Sequence, residues 1–273
     1  CYRVSCIDNL VTDLPFSNGI WYDVGNIDGL FINNWVEGVG LIDRPVSYLQ
    51  TWPSESGFFF EISKGAVCAG NVFVNCELGI HILNSCDVRM YNNTLVNSTA
   101  CVSRSERSAE GDHFGWHPAT GPGVDERDGH IFVNNLMVAD ASLNRPHLFV
   151  WQRNILCDRL KDPQLSHLNN NVYVQSSDRQ KIPLILWSPA AAENCITAID
   201  SPAALNLIYP AFEGESMILT DQAVFMSPEL GNYRTLPAFA GNKAASVLPA
   251  DISALLKLNR KTQPYPGAYP MQR

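Results

Sequence analysis

The sequence predicts an all-β fold, a right-handed parallel β-helix with loop insertions and an irregular C-terminal cap. Three similar stretches carry this prediction, GIWYDVGNIDGLFINN, GFFFEISKGAVCAGN and GIHILNSCDVRMYNN, which open at Gly19, Gly57 and Gly79. Each contains a short apolar strand, a tight turn and a second apolar run. The second and third copies start 22 residues apart, close to one coil of a β-helix, and stacked units of this length bury their apolar faces against their neighbours.

Asparagine corners are the second feature of the repeat. The three copies close on Asn34, Asn71 and Asn93, which fall into register with one residue of slack. A fourth copy, HIFVNNLMV at 130–138, keeps the corner at Asn135, and HLNNNVYV at 167–174 is a weaker fifth copy. Asparagine suits a corner because it tolerates the left-handed backbone conformation and can bond to its own backbone.

Insertions interrupt the repeat between the predicted coils, which span residues 1–189. The insertion at 37–56 contains two prolines, and the insertion at 106–129 is rich in glycine, proline, charge and histidine. Loops this long in compact folds are usually functional or disordered. The aromatic and imidazole groups of the second insertion favour a functional loop, because disordered segments contain few aromatic residues.

Residues 190–273 are predicted to form an irregular segment of the same domain. A turn, a short helix and an extended tail follow one another there, and Asp251 is a suitable N-cap for Ile252–Leu258. We expect this tail to plug or clasp the C-terminal end of the coil. At the other end, the chain opens at Cys1 with a strand-like segment and no signal peptide. We therefore expect further coils, on the same or a separate chain, to pack against the first one.

Composition limits the classes of partner. Hydrophobic residues make up 46% of the chain and charged residues only 17%, which fits long buried strands better than exposed helices. The net charge of −8 argues against nucleic acid and anionic membranes as partners, since both attract basic surfaces. No apolar run approaches the ~18 residues of a transmembrane helix.

The eight cysteines show no metal-binding pattern, because neither a CxxC pair nor a Cys/His zinc spacing occurs. We expect most of them to be small buried residues stacked along the coil. One or two disulfides remain possible in a secreted protein. No metal and no cofactor is predicted.

Two carboxylates occupy the same column of the repeat. Asp23 and Glu61 are each the fifth residue of their copy, after an apolar four. Side chains alternate between the two faces of a strand, so the carboxylates share a face with Trp21 and Phe59. The third copy has His81 in the aromatic column. We place this face outside the coil, because two carboxylates inside a dry β-helix would be very costly.

The spacing of these carboxylates suggests a reaction. Neighbouring parallel strands lie ~4.8 Å apart, which places the two carboxyl groups about 5 Å from each other if their coils are adjacent. That separation suits a retaining glycosidase, whereas inverting enzymes need roughly 6.5–9.5 Å. We assign Asp23 as nucleophile and Glu61 as acid/base, because Glu61 has the longer reach and the more apolar setting. The competing interpretation is a pair of solvated carboxylates at the edge of a polar face.

Substrate-binding candidates surround this column. His81 could bond a sugar hydroxyl, and Arg104 in CVSRS could face the same groove. The second insertion offers further groups for stacking and hydrogen bonding, Asp112, His113, Trp116 and His117, and the first insertion offers Trp52. For each of these residues, ordinary packing or solvation is the alternative.

The stretch GIWYDV…FFFEIS…NNTLVNS resembles the catalytic coils of right-handed parallel β-helix glycoside hydrolases. It is most similar to glycoside hydrolase family 120, the β-xylosidases, and also resembles family 141, over about residues 19–138. The resemblance implies that Asp23 and Glu61 are the catalytic pair, that Ser103–His117 corresponds to the segment after them, that the protein is secreted and that no metal is required. Two features depart from the family, a wider gap between the carboxylates and a different tail.

The predicted function is therefore hydrolysis of a glycosidic bond in a plant or microbial oligo- or polysaccharide, in a secreted or periplasmic protein whose partner is a carbohydrate substrate. A polysaccharide lyase is one alternative, but lyases need a basic residue and often Ca²⁺ to neutralise a uronate, and a negatively charged protein does not favour an anionic polymer. The second alternative is a non-catalytic carbohydrate-binding β-helix, since one scaffold hosts many functions.

Overall fold

The computed structural model describes residues 1–42, 55–107, 121–179, 181–259 and 261–270. These residues form a right-handed parallel β-helix, which confirms the predicted fold class. Each coil contributes one strand to each of three long parallel sheets, and the chain then climbs to the next coil. The predicted copies are therefore successive coils of one solenoid.

Most strands are three to six residues long. Within the described residues the strands are, in chain order, β1 Ser5–Ile7, β2 Leu10–Leu14, β3 Ile20–Tyr22, β4 Ile27–Ile32, β5 Trp35–Val39, β6 Ser56–Glu61, β7 Lys64–Ala69, β8 Val72–Val74, β9 Leu78–Leu83, β10 Cys86–Tyr91, β11 Thr94–Val96, β12 Thr99–Arg104, β13 His130–Val133, β14 Leu136–Ala139, β15 Leu148–Gln152, β16 Leu165–Asn169, β17 Val172–Gln175, β18 Ile185–Trp187, β19 Thr197–Ile199, β20 Met217–Thr220, β21 Phe225–Ser227 and β22 Asn232–Thr235. The α-helices of the described residues are α1 Pro202–Ile208 and α2 Ala250–Leu255.

The long sheets are named here A, B and C. Sheet A stacks β1, β4, β7, β10, β13 and β16, and sheet B stacks β2, β5, β8, β11, β14, β17 and β20. Sheet C runs β3, β6, β9, β12, β15 and β18, and ends on the antiparallel strand β19. The predicted insertion at 37–56 starts within β5 and ends on the first residue of β6, and the insertion at 106–129 falls between β12 and β13. Each insertion therefore adjoins a strand of sheet C in the sequence, β6 or β12.

Stacked apolar side chains fill the interior. Phe31 lies parallel to Phe58, with ring centroids 4.6 Å apart and an angle of 18° between the rings. Tyr22 packs its edge on Phe58 and donates its hydroxyl hydrogen bond to the carbonyl of Leu30. Each fully buried aromatic side chain of this kind stabilises the fold by about 1.5–3 kcal/mol. The core lies inside the triangle of sheets, so functional groups must project from the outer faces.

The predicted asparagine corners form a continuous ladder between sheets A and B. The rungs are Asn9, Asn34, Asn71, Asn93, Asn135 and Asn171. The side-chain amide of each of the first five rungs donates to the side-chain oxygen of the next rung, over 2.9–3.3 Å. The left-handed backbone lies one position earlier, for example at Asn33 and Gly70. The ladder residue and the turn residue are thus separate positions of the corner.

The C-terminal end of the coil is closed by residues around 200–213. Helix α1 begins after Ser201, whose hydroxyl caps the amide of Ala204. Leu205 enters the core, and Phe212 packs on Trp187 with centroids 5.6 Å apart. The chain then returns to sheet B, where β20 pairs with β17. The regular coil therefore extends past the predicted boundary at residue 189.

The tail does not close the C-terminal end, so this prediction was wrong. Helix α2 packs Ile252 against the outer face of sheet A. Further on, the amide of Gly267 donates to the carbonyl of Asn134, and Asn92 donates to the carbonyl of Tyr265. The tail consequently runs back along the flank of the solenoid. Asp251 is also not the N-cap of α2, which is Pro249, and instead pairs with Arg89 over 2.6 Å.

Half of the cysteines are buried along the coil, where most were expected, and one disulfide forms. Four of them are buried along the coil, Cys68, Cys76, Cys86 and Cys101. Cys157 and Cys195 form a disulfide that ties the loop after β15 to the C-terminal cap. Among the described residues, no helix is long and apolar enough to span a membrane.

Candidate active site

The carboxylate column lies on the outer face of sheet C, as predicted. β3 pairs with β6 so that Trp21 faces Phe59 and Tyr22 faces Phe60, which places the next residues, Asp23 and Glu61, side by side. Sheet register continues from Glu61 to Leu83 on β9. The column alignment made from the sequence is confirmed, and parallel neighbours of this kind lie about 4.8 Å apart.

Three rings stack beside the carboxylates. Trp21 lies 5.3 Å from Phe59 at 16°, and Phe59 lies 4.8 Å from the imidazole of His81 at 10°. Phe59 and His81 are buried, whereas Trp21 is 48% exposed. The stack therefore runs from two buried rings, His81 and Phe59, to the half-exposed indole of Trp21.

Glu61 is almost completely buried, with 2% of its surface exposed. One carboxylate oxygen accepts from the indole N–H of Trp21 over 3.1 Å, and the other accepts from Nη1 of Arg107 over 2.5 Å. Burial raises the pKa of Glu61, the charge of Arg107 opposes that rise, and the charge of Asp23 adds to it. Glu61 is thus held in one orientation by two donors in a site that favours its protonated form.

Asp23 has a different environment. It is exposed, and one of its carboxylate oxygens accepts from the backbone amide of Val24 over 2.9 Å. Side by side, a buried carboxyl with a raised pKa and an exposed carboxylate form an asymmetric pair. That asymmetry is what separates the acid from the nucleophile in a two-carboxylate site.

The backbone directly after Glu61 is strained. Ile62 has a φ of +42°, in the left-handed region that β-branched residues rarely adopt. The same corner carries Gly25 one coil before and Asn84 one coil after, both suited to that conformation. Ser63 fixes the turn, because its hydroxyl donates to the carbonyl of Glu61 over 2.7 Å. Strain of this type costs on the order of 1–3 kcal/mol and clusters at functional sites.

His81 is a buried bridging residue and is not directed at solvent. Its ring nitrogens lie 3.3 Å from the hydroxyls of Ser56 and Ser103. Burial, aided by the charge of Arg145, lowers the pKa of His81 to about 3. A neutral imidazole packed on Phe59 supports the wall of the site, and both of its nitrogens already have protein partners.

Arg104 does not face the carboxylates, so its expected direction was wrong. The hydroxyl of Ser103 bonds to His81 on the outer face, and the next side chain along the strand points to the other side. There Arg104 is buried and donates to Oε1 of Gln152 over 2.7 Å and to the carbonyl of Asp162 over 2.8 Å. Its guanidinium holds the loop around residues 160–162 against the end of the strand.

The other candidates lie outside the described residues: Trp52, Asp112, His113, Trp116 and His117. Their predicted contacts with substrate stay predictions. Arg107, the cation that binds Glu61, was not among the residues predicted from the sequence. The alternation of side chains along the strand could have indicated it. Alternation turns Arg104 away from the outer face, and Arg107 is the next arginine of SRSER that can reach that face.

Metal ligands do not converge in this region. Among the residues that the structure describes, no group of three or more His, Cys, Asp or Glu side chains is arranged to hold a metal ion. His81 bridges two serines, and His130 accepts from the backbone amide of Val88 over 3.2 Å. These histidines serve the packing of the coil.

One family model matches the chain. It is described as periplasmic copper-binding protein (NosD), a family of parallel β-helix proteins, and it covers residues 7–117, that is 111 of 273 residues. The matched stretch contains β2–β12 and therefore both Asp23 and Glu61. No curated protein and no solved structure matches the chain. The similarity agrees with the fold seen here.

Proposed function

We propose that the protein is a carbohydrate-active β-helix that hydrolyses a glycosidic bond by the retaining mechanism. One observation carries the proposal: Asp23, directly after β3, lies beside Glu61 at the end of β6, and Asp23 is exposed whereas Glu61 is buried with a raised pKa. Neighbouring parallel strands lie about 4.8 Å apart, and this spacing supports the proposal because the carboxyl groups of retaining glycosidases are about 5–5.5 Å apart.

The roles follow from the environments. The carboxylate of Asp23 attacks the anomeric carbon while Glu61 gives its proton to the leaving oxygen, so that the glycosidic bond breaks and a glycosyl ester forms. Glu61, now ionised and bonded by Arg107, takes a proton from water, which attacks the anomeric carbon and releases Asp23. The same group serves as acid and then as base. Its environment suits both roles, because burial raises the pKa of Glu61 and the charge of Arg107 lowers it.

The location that fits this function is outside the cytoplasm. The Cys157–Cys195 disulfide persists in oxidising compartments, and the matching family is described as periplasmic. Copper binding, also part of that description, is not extended to this chain. Copper prefers imidazole and sulfur ligands, and the described histidines and cysteines do not gather around a common point.

Hydrolysis of a panel of aryl glycosides, the β-xyloside included, tests the proposal. Glu61→Gln and Asp23→Asn keep the shape of each side chain, and each is expected to lower kcat by about 10²–10⁴-fold or more. A further expectation separates the roles: added azide gives the glycosyl azide of inverted configuration with Asp23→Asn, where it replaces the nucleophile, and that of retained configuration with Glu61→Gln, where it attacks the glycosyl ester. Thermal melting of both variants shows that the loss is chemical. Activity retained in either variant contradicts the assignment.

A non-catalytic carbohydrate-binding protein is the second candidate. The observation that favours it is the burial of Glu61, whose two oxygens are both bonded within the protein. The same experiment separates the candidates. A binding protein shows no turnover on any glycoside, and both variants retain binding to soluble glycans.

A further inference from the structure

Trp151 continues the carboxylate column beyond the part of the site described above. The register runs from Glu61 to Leu83, from Leu83 to Ser103, and from Ser103 to Trp151 on β15. These positions share the outer face of sheet C and climb one coil at a time. Three steps at the strand spacing separate Trp151 from Glu61 by about 14 Å along the solenoid axis.

The side chain of Trp151 packs against the protein on one side and is open to solvent on the other. It is half-buried, and it packs on an outer apolar cluster that includes Cys101, Phe149 and Leu186. Its indole N–H has no hydrogen-bond partner among the described residues. A large amphipathic ring that is fixed on one side and open on the other is a good stacking surface for a sugar. In the coil before, the same column carries the small side chain of Ser103, so the ring rises above its neighbour.

A charged rim joins the two ends of this column. Glu106 accepts from Nη1 of Arg153 over 2.5 Å, two residues after Trp151. The next residue, Arg107, binds Glu61 over 2.5 Å. Two consecutive residues therefore reach both ends of the column. Both rim arginines are paired with a carboxylate, so the described residues on this side of the column present no excess of positive charge toward a polyanion.

We propose that Trp151 is a distal sugar-binding platform of the same site, and that the substrate is a neutral oligo- or polysaccharide lying along the solenoid axis over sheet C. A pyranose repeat is about as long as one coil step, so the ring of Trp151 meets the third or fourth sugar from the bond at Glu61. This inference rests on the proposed function for the position of cleavage. The stacking site itself depends only on the column.

The test compares Trp151→Ala with the wild type on the aryl xyloside and on xylo-oligosaccharides from the disaccharide to the hexasaccharide. The wild-type kcat/KM is expected to rise with chain length until the fourth or fifth sugar. In Trp151→Ala the loss is expected to be smallest on the aryl xyloside and to reach about 10–100-fold on the hexasaccharide, the effect of losing one buried aromatic contact. Trp151→Tyr restores most of it.

Trp35→Ala is the matched control. Trp35 is also a half-buried tryptophan on an outer face, but it belongs to sheet B and packs on Tyr233. It is expected to leave the chain-length profile unchanged. An equal loss on all substrates in Trp151→Ala, or a wild-type profile without length dependence, overturns the proposal.

Affinity electrophoresis in soluble xylan, β-glucan and galactomannan keeps the inference testable if no glycoside is cleaved. Retardation by a neutral glycan that Trp151→Ala loses and Trp35→Ala keeps would support the platform even though the hydrolase proposal had failed. Retardation that Trp151→Ala retains in full would overturn the platform while leaving hydrolysis to the aryl glycoside experiment. Retardation by polygalacturonate alone would overturn the neutral substrate class.

Discussion

The asparagine ladder and Glu61 of the carboxylate column both place polar side chains in buried positions, but they satisfy those side chains differently. Each rung of the ladder bonds to an identical rung one coil away. Glu61 instead depends on two unlike donors, the indole of Trp21 and the guanidinium of Arg107. In the next coil its position is occupied by Leu83. The ladder repeats, and the carboxylate column does not.

This difference distinguishes residues that stabilise the solenoid from residues that are not required for its stability. A repeated polar residue solves a problem that every coil has, the buried amides and carbonyls of a corner. A polar residue that occurs in only two coils solves no such problem, and the coil at Leu83 stacks without it. The strained Ile62 after Glu61, where neighbouring coils use glycine or asparagine, points in the same direction.

The largest expected effects come from substituting leucine for one residue of the asparagine ladder and for Glu61 of the carboxylate column. Asn93→Leu removes the acceptor of the Asn71 amide and the donor to the carbonyl of Cys68, both buried, and is expected to lower the free energy of unfolding by about 3–5 kcal/mol. Glu61→Leu reproduces the residue of the next coil, and the two donors that it leaves, Arg107 and Trp21, are partly exposed and can bond to water, so stability is expected to change by less than ~1 kcal/mol. Hydrolysis is expected to be lost. Urea denaturation and aryl glycoside assays measure both.

Comparable destabilisation by the two leucines would break the distinction. It would mean that Glu61, like Asn93, belongs to the scaffold. Retained hydrolysis in Glu61→Leu would contradict its catalytic role in the most direct way, since leucine can neither give nor take a proton.

The upper end of the ladder supplies a second effect, on the pH dependence of stability. Asn171 donates to Oε2 of Glu213, and the hydroxyl of Tyr173 donates to Oε1. Burial raises the pKa of Glu213 to about 7, against 4.5 for the free group. Since the folded state holds this proton more tightly, the contribution to stability is complete below pH 4.5 and is lost as the pH rises through 7. The loss amounts to about 3 kcal/mol.

Glu213→Gln tests this effect, because the amide keeps an acceptor for Tyr173 and has no charge to bury. The free energy of unfolding of the wild type is expected to fall between pH 5 and pH 8, and that of Glu213→Gln to fall less. Parallel pH profiles for the two proteins would show that Glu213 does not titrate in this range. A mid-ladder rung such as Asn93 has no titrating group, so only this end of the ladder responds to pH.

The periodic part of the molecule could be predicted from the sequence, because repetition shows which positions face the same way. The ladder and the alignment of Asp23 with Glu61 were found by that means. The tail could not be placed, since Asp251 matches a helix cap locally but pairs with Arg89 across the flank. The direction of Arg104 was open to prediction from strand alternation, whereas its partners, Gln152 and the carbonyl of Asp162, come from distant coils and loops.

Arg107 gives a smaller effect, on the pH profile of the proposed reaction. Its charge lowers the pKa of Glu61 against the rise caused by burial. Removing it in Arg107→Ala is expected to raise that pKa further and to move the basic limb of kcat/KM to higher pH, since the acid must be protonated. Arg153→Ala is the control, because Arg153 pairs with Glu106 at the same distance and is similarly exposed. A basic limb that stays in place, or moves to lower pH, would contradict the role of Glu61 as acid.

The smallest effect is expected at the exposed end of the ladder. Asn9 donates its side-chain amide to Oδ1 of Asn34 over 2.9 Å, while its backbone amide donates to the same oxygen over 3.0 Å. In Asn9→Ala the backbone bond remains and water can reach the site, so the free energy of unfolding should fall by only about 0.5 kcal/mol. Chemical denaturation of Asn9→Ala beside Asn93→Leu measures how the cost grows with burial along one ladder. A loss above ~2 kcal/mol at Asn9 would show instead that the rungs strengthen one another along the whole ladder. The ladder would then stabilise the fold as one cooperative network of hydrogen bonds. The two hydrogen bonds of Glu61 belong to no such network, so they would differ from the ladder in energetics as well as in their lack of repetition.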